Sequence, residues 1–364
     1  MKKSLFYSLV INFLLIGSCN HKEVQLNENT LIKIPVSGLD NQVFEDKFEI
    51  NRIIALDFCD ACIIGEVHKI LIDDSGFYVL DKTITKSIKK FDWNGTLLFN
   101  ISESGEGLGK YILPFDMELD KNRLFVLDVN QRKILFFNAV NGQFDNEQRI
   151  GDFQALTFAH LDNNTFAYHL DGRELGPDLH YLGQIAALGG GKSTAKWVLD
   201  FGNTDYMTAE QEFTRGEKGL LFAKSMNDTV YQVEASGFIP KYVFDFGDKR
   251  ISDDIKKADM MEAMQRIMTD WPHFHWGRVF ENSNQVFFLW SGNQGQRNLS
   301  YYDKVTGVTY LLEGDSFYPK NIVYVDDQRL IAFISPEEYM ESDLKGVVKE
   351  YRNPVLVSYT FKSK

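Results

Sequence analysis

The chain has 364 residues, with 39 Lys and Arg against 51 Asp and Glu, a formal charge of −12. A surface this acidic repels phosphate backbones, so nucleic acid is not an expected partner. Aromatics at 14% with only 8 prolines indicate a packed body with a sizeable core and argue against a disordered chain.

Residues 1–18 stand apart from the remainder of the chain. Lys2 and Lys3 form a basic start, Leu5 to Ile16 a short apolar stretch, and Gly17-Ser18 precedes Cys19. The stretch is shorter than the ~20 residues of a membrane span and reads as a secretory signal. The small pair before the cysteine resembles the lipobox of bacterial lipoproteins. That resemblance implies cleavage before Cys19 and acylation of its side chain; ordinary signal cleavage, with Cys19 a chance thiol, is the alternative. Acylation would anchor the protein to a bacterial membrane in the cell envelope. Residues 19–45, rich in Asn, Glu and Lys, are expected to form the lipidated N-terminus and tether, and 46–364 the folded domain.

Cys59-Asp60-Ala61-Cys62 leaves a local disulfide or two free thiols open in an exported protein. A structural zinc site needs four ligands and only His68 lies near, so no metal is expected. A redox CxxC belongs in a βαβ setting, which the neighbouring sequence does not supply.

From residue 67 the chain repeats. Phe77-Tyr78-Val79-Leu80-Asp81 returns about 47 residues later as Leu124-Phe125-Val126-Leu127-Asp128. Turns close aromatic-containing strands at Gly95, Gly142, Gly237 and Gly307, where Asn-Gly and its relatives supply positive φ. The intervals are one period, two periods, and about one and a half. Gly189-Gly190-Gly191 provides the turn missing from the double interval. Residues 251–270 account for the excess in the last, with Ile255, Met260, Met261, Met264, Ile267 and Met268 at helical spacing. A period of this length holds four short strands, which is one propeller blade.

Blades are read at 67–101, 113–150, 153–201, 212–246, 277–312 and 320–360. The last lacks a closing strand, and Arg52 to Leu56 is expected to complete it, joining both chain ends in one sheet. The fold expected is all-β: a six-bladed β-propeller with one helical insertion.

Candidate chemistry is sparse. Gly189-Gly190-Gly191-Lys192-Ser193-Thr194 fails as a phosphate loop, because Ala186 stands where a glycine is required. Gly105-Glu106-Gly107-Leu108-Gly109-Lys110 fails the dinucleotide fingerprint at Lys110; it is an inter-blade linker, or a backbone approach to a ligand at one mouth. Trp271, His273, His275 and Trp276 are the candidate ligand-contacting residues, since flat aromatic faces stack on sugars and other rings. The competing reading packs them between the inserted helix and a blade. No linear catalytic motif is present, and neither a catalytic residue nor a cofactor is assigned.

Taken in order, Ile63-Ile64-Gly65-Glu66-Val67-His68-Lys69-Ile70, Phe77 to Asp81, Phe91-Asp92-Trp93-Asn94-Gly95, Asn227-Asp228-Thr229-Val230-Tyr231 and Tyr242-Val243-Phe244-Asp245-Phe246-Gly247 resemble the exported six-bladed β-propeller lipoproteins of gut-dwelling bacteria. The resemblance spans the mature chain. It implies fold and export, and it transfers no catalytic residue. The run Gly107-Leu108-Gly109-Lys110-Tyr111 departs from that family's Gly-Pro-Gly-Glu-Tyr-like segment by lacking the proline and the acid. The function expected is a membrane-anchored scaffold for a glycan, peptide or protein partner. The alternative is a propeller enzyme, such as a metal-dependent lactonase-like hydrolase or a lyase, which rests on fold analogy alone.

Overall fold

The computed structural model describes residues 31–162, 164–170, 181–189, 193–198, 211–216, 219–314, 319, 321–342, 344–347 and 352–362. Short β-branched and aromatic runs between turn residues form its strands, and they assemble into six separate sheets. Blade 1 comprises Lys69–Asp73, Gly76–Asp81, Ser87–Asp92 and Leu97–Ile101. Blade 2 comprises Pro114–Asp120, Arg123–Asp128, Lys133–Asn138 and Phe144–Arg149. Blade 3 follows with Ala155–Asp162, Thr165–Leu170, Tyr181–Ala187 and Ser193–Val198. Blade 4 runs through Phe213–Gly216, Gly219–Ala223, Thr229–Glu234 and Gly237–Asp245. Blade 5 runs through Phe274–Glu281, Gln285–Ser291, Arg297–Asp303 and Val308–Glu313.

Blade 6 takes Ile322–Val325, Arg329–Ile334 and Val355–Phe361 from the C-terminal region, and its outer strand is Phe48–Ala55. The closing pair is antiparallel, with Val355 opposite Ala55 and Phe361 opposite Phe48. The first strands of successive blades touch in turn, and that of blade 6 returns to blade 1. The protein is therefore a six-bladed β-propeller.

Burial within a blade is greatest in its middle strands and least in its outer one. In blade 2, Arg123–Asp128 and Lys133–Asn138 are buried at all but one position each, whereas Phe144–Arg149 is exposed at most positions. One apolar cluster fills each gap between neighbouring blades. Between blades 2 and 3, for instance, Phe125 meets Phe166 edge-on at 5.4 Å. Each fully buried ring of this kind contributes about 1.5–3 kcal/mol from apolar burial, so ring closure rests chiefly on these interfaces.

Turn chemistry sets the corners. Asp92 accepts hydrogen bonds from the backbone N–H of Asn94 and Thr96, and Gly95 lies at φ 86°. A Cβ at Gly95 would lie 1.9 Å from the carbonyl oxygen of Ala55. That hairpin of blade 1 therefore abuts the closing strand of blade 6 through a position only glycine fits. Gly189, at φ 79°, occupies the turn expected of blade 3; Gly190 and Gly191 lie outside the described residues.

Residues 31–45 depart from the tether expected of them. Ile32–Pro35 pairs in parallel with the outer strand of blade 4, and Asp40–Val43 does the same on blade 5. A short helix α1, Phe44–Lys47, then leads into the closing strand. The cause is edge satisfaction: an outer strand offers unpaired N–H and C=O groups, which a passing segment can occupy. Ile34 and Val36 become buried in the process. The folded body thus begins near residue 31, ahead of the expected boundary at 46. Residues 1–30, with the signal segment and Cys19, lie outside the described residues.

The insertion over 251–270 contains two helices, α2 (Asp253–Lys257) and α3 (Met260–Asp270). Asp259 caps α3 by accepting from Met261 N and Glu262 N, the arrangement that satisfies otherwise orphaned helix donors. A fourth helix, α4 (Pro336–Glu341), starts with a capping box from Ser335 and Glu338.

The segment from Ala55 to Lys69 is fastened by a disulfide and by a side chain from the far end of the chain. Cys59 and Cys62 are bonded, S–S 2.12 Å, and Cys62 is buried. Asn353, itself buried, accepts from Ile64 N at 3.0 Å and donates to the carbonyls of Asp57 at 2.8 Å and Cys62 at 3.0 Å. One side chain from blade 6 thus satisfies three backbone groups of the entry loop. Asn353→Ala strands all three, and the expected loss of stability is about 2–4 kcal/mol, measured by urea unfolding at neutral pH.

Candidate functional site

The segment singled out by its tryptophans and histidines joins α3 to blade 5. α3 ends at Trp271 in the left-handed region (φ 50°), with its N–H bonded to the Ile267 carbonyl. Phe274 and Trp276 follow two residues apart, which puts both on one face of the strand. Their rings meet at 4.9 Å. With Met264, Ile267, Met268 and Trp271 they wall a cavity of about 250 Å³, which Pro272, Ser291 and Gly295 complete. Gly295, at φ 72°, lies beneath the Trp271 ring, where a Cβ would come within 2.6 Å of that ring.

α3 leaves its methionines open. Met261 and Met268 are 72% and 63% exposed, and Met260 and Met264 are also exposed, while Ala263 and Ile267 of α3 and Ile255 of α2 make the inward contacts. Trp276 Nε1 is buried and has no acceptor among the described residues. The site is therefore an apolar pocket whose rim, at Met264, Met268 and Trp271, stays exposed.

The histidines do not join it. His275 is wholly buried: Nε2 bonds the Asn227 carbonyl, Nδ1 accepts from Gly277 N, and the ring lies 5.1 Å from Phe244. Burial pushes its pKa down to about 4. His273 sits 5.2 Å from the Trp290 ring, with Nε2 3.3 Å from Asn293 Oδ1. Of the four candidates, Trp271 and Trp276 share a pocket, His273 stands apart from its wall, and His275 is a core strut.

The channel side holds a different population of groups, which no sequence window could assemble. Lys69 Nζ lies 2.8 Å from Asp116 Oδ1, and Asp116 Oδ2 accepts from Phe158 N at 3.0 Å, tying blades 1, 2 and 3. Burial pushes the Asp116 carboxyl above its ordinary value despite that lysine. His169 Nδ1 lies 2.6 Å from Glu212 Oε2, and Thr157 donates to the same oxygen at 2.9 Å. Burial alone would raise Glu212, but His169, then Lys224 and Thr157, hold it below the usual range. Arg215 bonds Glu118 at 2.8 Å, joining blades 4 and 2. Glu281 takes Lys241 at 2.6 Å, Tyr242 Oη at 2.7 Å and Lys304 at 3.0 Å. Each of these acids answers a base on another strand or blade. Among the described residues, no three His, Cys, Asp or Glu are grouped to hold a metal ion.

The repeated aspartates are loop organisers. Asp81 accepts from the N–H of Gly65, Glu66, Ile84 and Thr85, and Asp128 from those of Ile112, Asn130 and Gln131. The linker from Gly105 to Lys110 forms part of a polar cavity of about 530 Å³ beside Arg132 and Lys133. There Lys133 bonds the Gly107 carbonyl at 3.4 Å and Glu147 at 2.8 Å.

Residues 31–360 match the family described as a domain of unknown function, DUF4934. The structure is similar to that of a Bacteroides fragilis protein named as exported, at 18% identity and a TM-score of 0.74, over 92% of this chain and 100% of that one. It is also similar to a DUF4221 family member from Bacteroides vulgatus, at 10% identity and a TM-score of 0.54, over 87% and 98% of the two chains. At these identities the likeness is one of fold. No curated protein matches the chain.

The buried imidazole yields a pH signature. The unfolded chain takes up a proton near pH 6.5, whereas folded His275 accepts one only at about 4. Stability from the neutral ring is therefore complete above pH 6.5 and is lost as pH falls through that window. His275→Gln is expected to be less stable than wild type at pH 7.5, with the gap narrowing steadily between pH 6.5 and 4 in urea melts.

Proposed function

The chain belongs to the DUF4934 family, and on that footing we propose that it is an exported, lipid-anchored binding scaffold that takes an apolar side chain of a peptide or protein partner. The observation that carries this reading is the pocket between α3 and blade 5. Its walls are methionine, isoleucine, phenylalanine and tryptophan, and its rim stays exposed. Methionine is flexible and polarisable, and surfaces built from it adapt to varied apolar partners. A sugar fits less well, because stacking on tryptophan needs several polar groups around the ring and Ser291 is the one hydroxyl in the lining.

Export and anchoring draw support from the basic start, the apolar stretch and the Gly17-Ser18-Cys19 sequence, together with the exported name of the Bacteroides fragilis relative. No described helix is long and apolar enough to cross a membrane. From Cys19 to Leu31 an extended chain reaches about 40 Å at most, enough to stand the propeller clear of lipid headgroups. The enzyme reading has less behind it, since the described channel acids are engaged by bases from neighbouring strands and blades.

The test is selection of a displayed random-peptide library on the immobilised mature protein, with a glycan array in parallel. Peptides carrying a large apolar residue are expected to enrich, and Trp271→Ala combined with Met268→Asp to abolish the enrichment with circular dichroism unchanged. Absence of enrichment, or enrichment indifferent to those substitutions, rejects the reading. A glycan signal that the same substitutions remove would replace the peptide with a sugar.

A further inference from the structure

A second cavity, of about 130 Å³, opens in the channel between the first strands of the blades. Blades 1, 2, 4, 5 and 6 contribute to its wall, chiefly through Ile70, Leu119, Phe213, Phe280, Val323 and Val325. Into this apolar setting projects one strong cation, Arg215. Its Nε and Nη2 bond a single oxygen of Glu118, at 3.2 and 2.8 Å, and Nη2 also reaches the His160 carbonyl at 2.7 Å. The Glu118 side chain is 7% exposed and that of Arg215 is 49% exposed. Nε and both protons of Nη2 are thus engaged, and Nη1 is the nitrogen with no partner among the described residues.

A guanidinium is always charged, and Nη1 alone still presents two N–H donors to an anion. Held by a buried carboxylate on one side, Arg215 loses little freedom on meeting a second on the other. The remaining wall is mixed, with Gln211, Thr214 and Tyr324 set among the aliphatic and aromatic side chains. A volume of this size equals about four waters, or the bulk of an acid of about four carbons.

We propose that the channel cavity is a binding site for a small aliphatic carboxylate, with the acid group on Nη1 of Arg215 and the tail against Val323, Val325 and Phe280. The same geometry disfavours a neutral isostere, which forms no charge-assisted bond with Nη1, and a long chain, whose tail must leave the cavity for the open channel. The site is separate from the α3 pocket and independent of its ligand.

Calorimetric titration of the mature protein with acetate, propionate, butyrate, octanoate and butyramide tests this. Affinity should rise about fourfold per methylene from acetate to butyrate, fall for octanoate, and be absent for butyramide. Arg215→Gln should weaken butyrate at least tenfold, and Val325→Phe, which fills the cavity from blade 6, should do the same. Equal binding of butyrate and butyramide overturns the proposal, as does an affinity flat with chain length, no binding at all, or unaltered binding by either folded variant. The ligand series uses wild-type protein, so its outcome holds even where a variant fails to fold.

Discussion

The whole ring depends on one ladder, in which Phe48–Ala55 lies antiparallel to Val355–Phe361. Without that strand, blade 6 ends on an open edge, and the apolar clusters flanking it lose Phe48 and Ile54. Those clusters are links in a closed series, one between each pair of blades, so a defect at the closure is felt on both sides. The surrounding details reinforce the same seam. Gly95 of blade 1 packs on the Ala55 carbonyl, Arg52 donates to Asn94, and Asn353 grips the loop leaving the closing strand.

The architecture was legible because its signals are local. A hairpin needs positive φ at its turn, and Gly95, Gly142, Gly237 and Gly307 advertise it at one period, two periods and a period lengthened by the insertion. The insertion was legible from its change of period, and the closing strand from the incomplete sixth repeat. The edge strands over 31–43 were not. Asp40–Val43 reads Asp-Asn-Gln-Val, with no strand character of its own; it is extended because blade 5 offers an edge to bond. Its conformation is borrowed from a partner about 270 residues away.

The site divides along the same line. Trp271 and Trp276 could be found because large aromatics near a helix end are conspicuous. Which face each neighbouring histidine takes was not encoded in that cluster: strand alternation separates His275 from Trp276, and packing against Phe244 buries it. Arg215 and Glu118 stand 97 residues apart and meet only because blades 2 and 4 converge on the axis. A propeller gathers such groups from several repeats, so spacing within any one of them carries no trace of the encounter.

The parallel segments on blades 4 and 5 have a mechanical consequence. A pull on Leu31 first loads the bonds joining Ile32–Pro35 to blade 4, then those joining Asp40–Val43 to blade 5. Only after both have peeled or slipped does force arrive at Phe48. The first segments act as strain relief on a cable, yielding in sequence while the clasp of the ring stays shut.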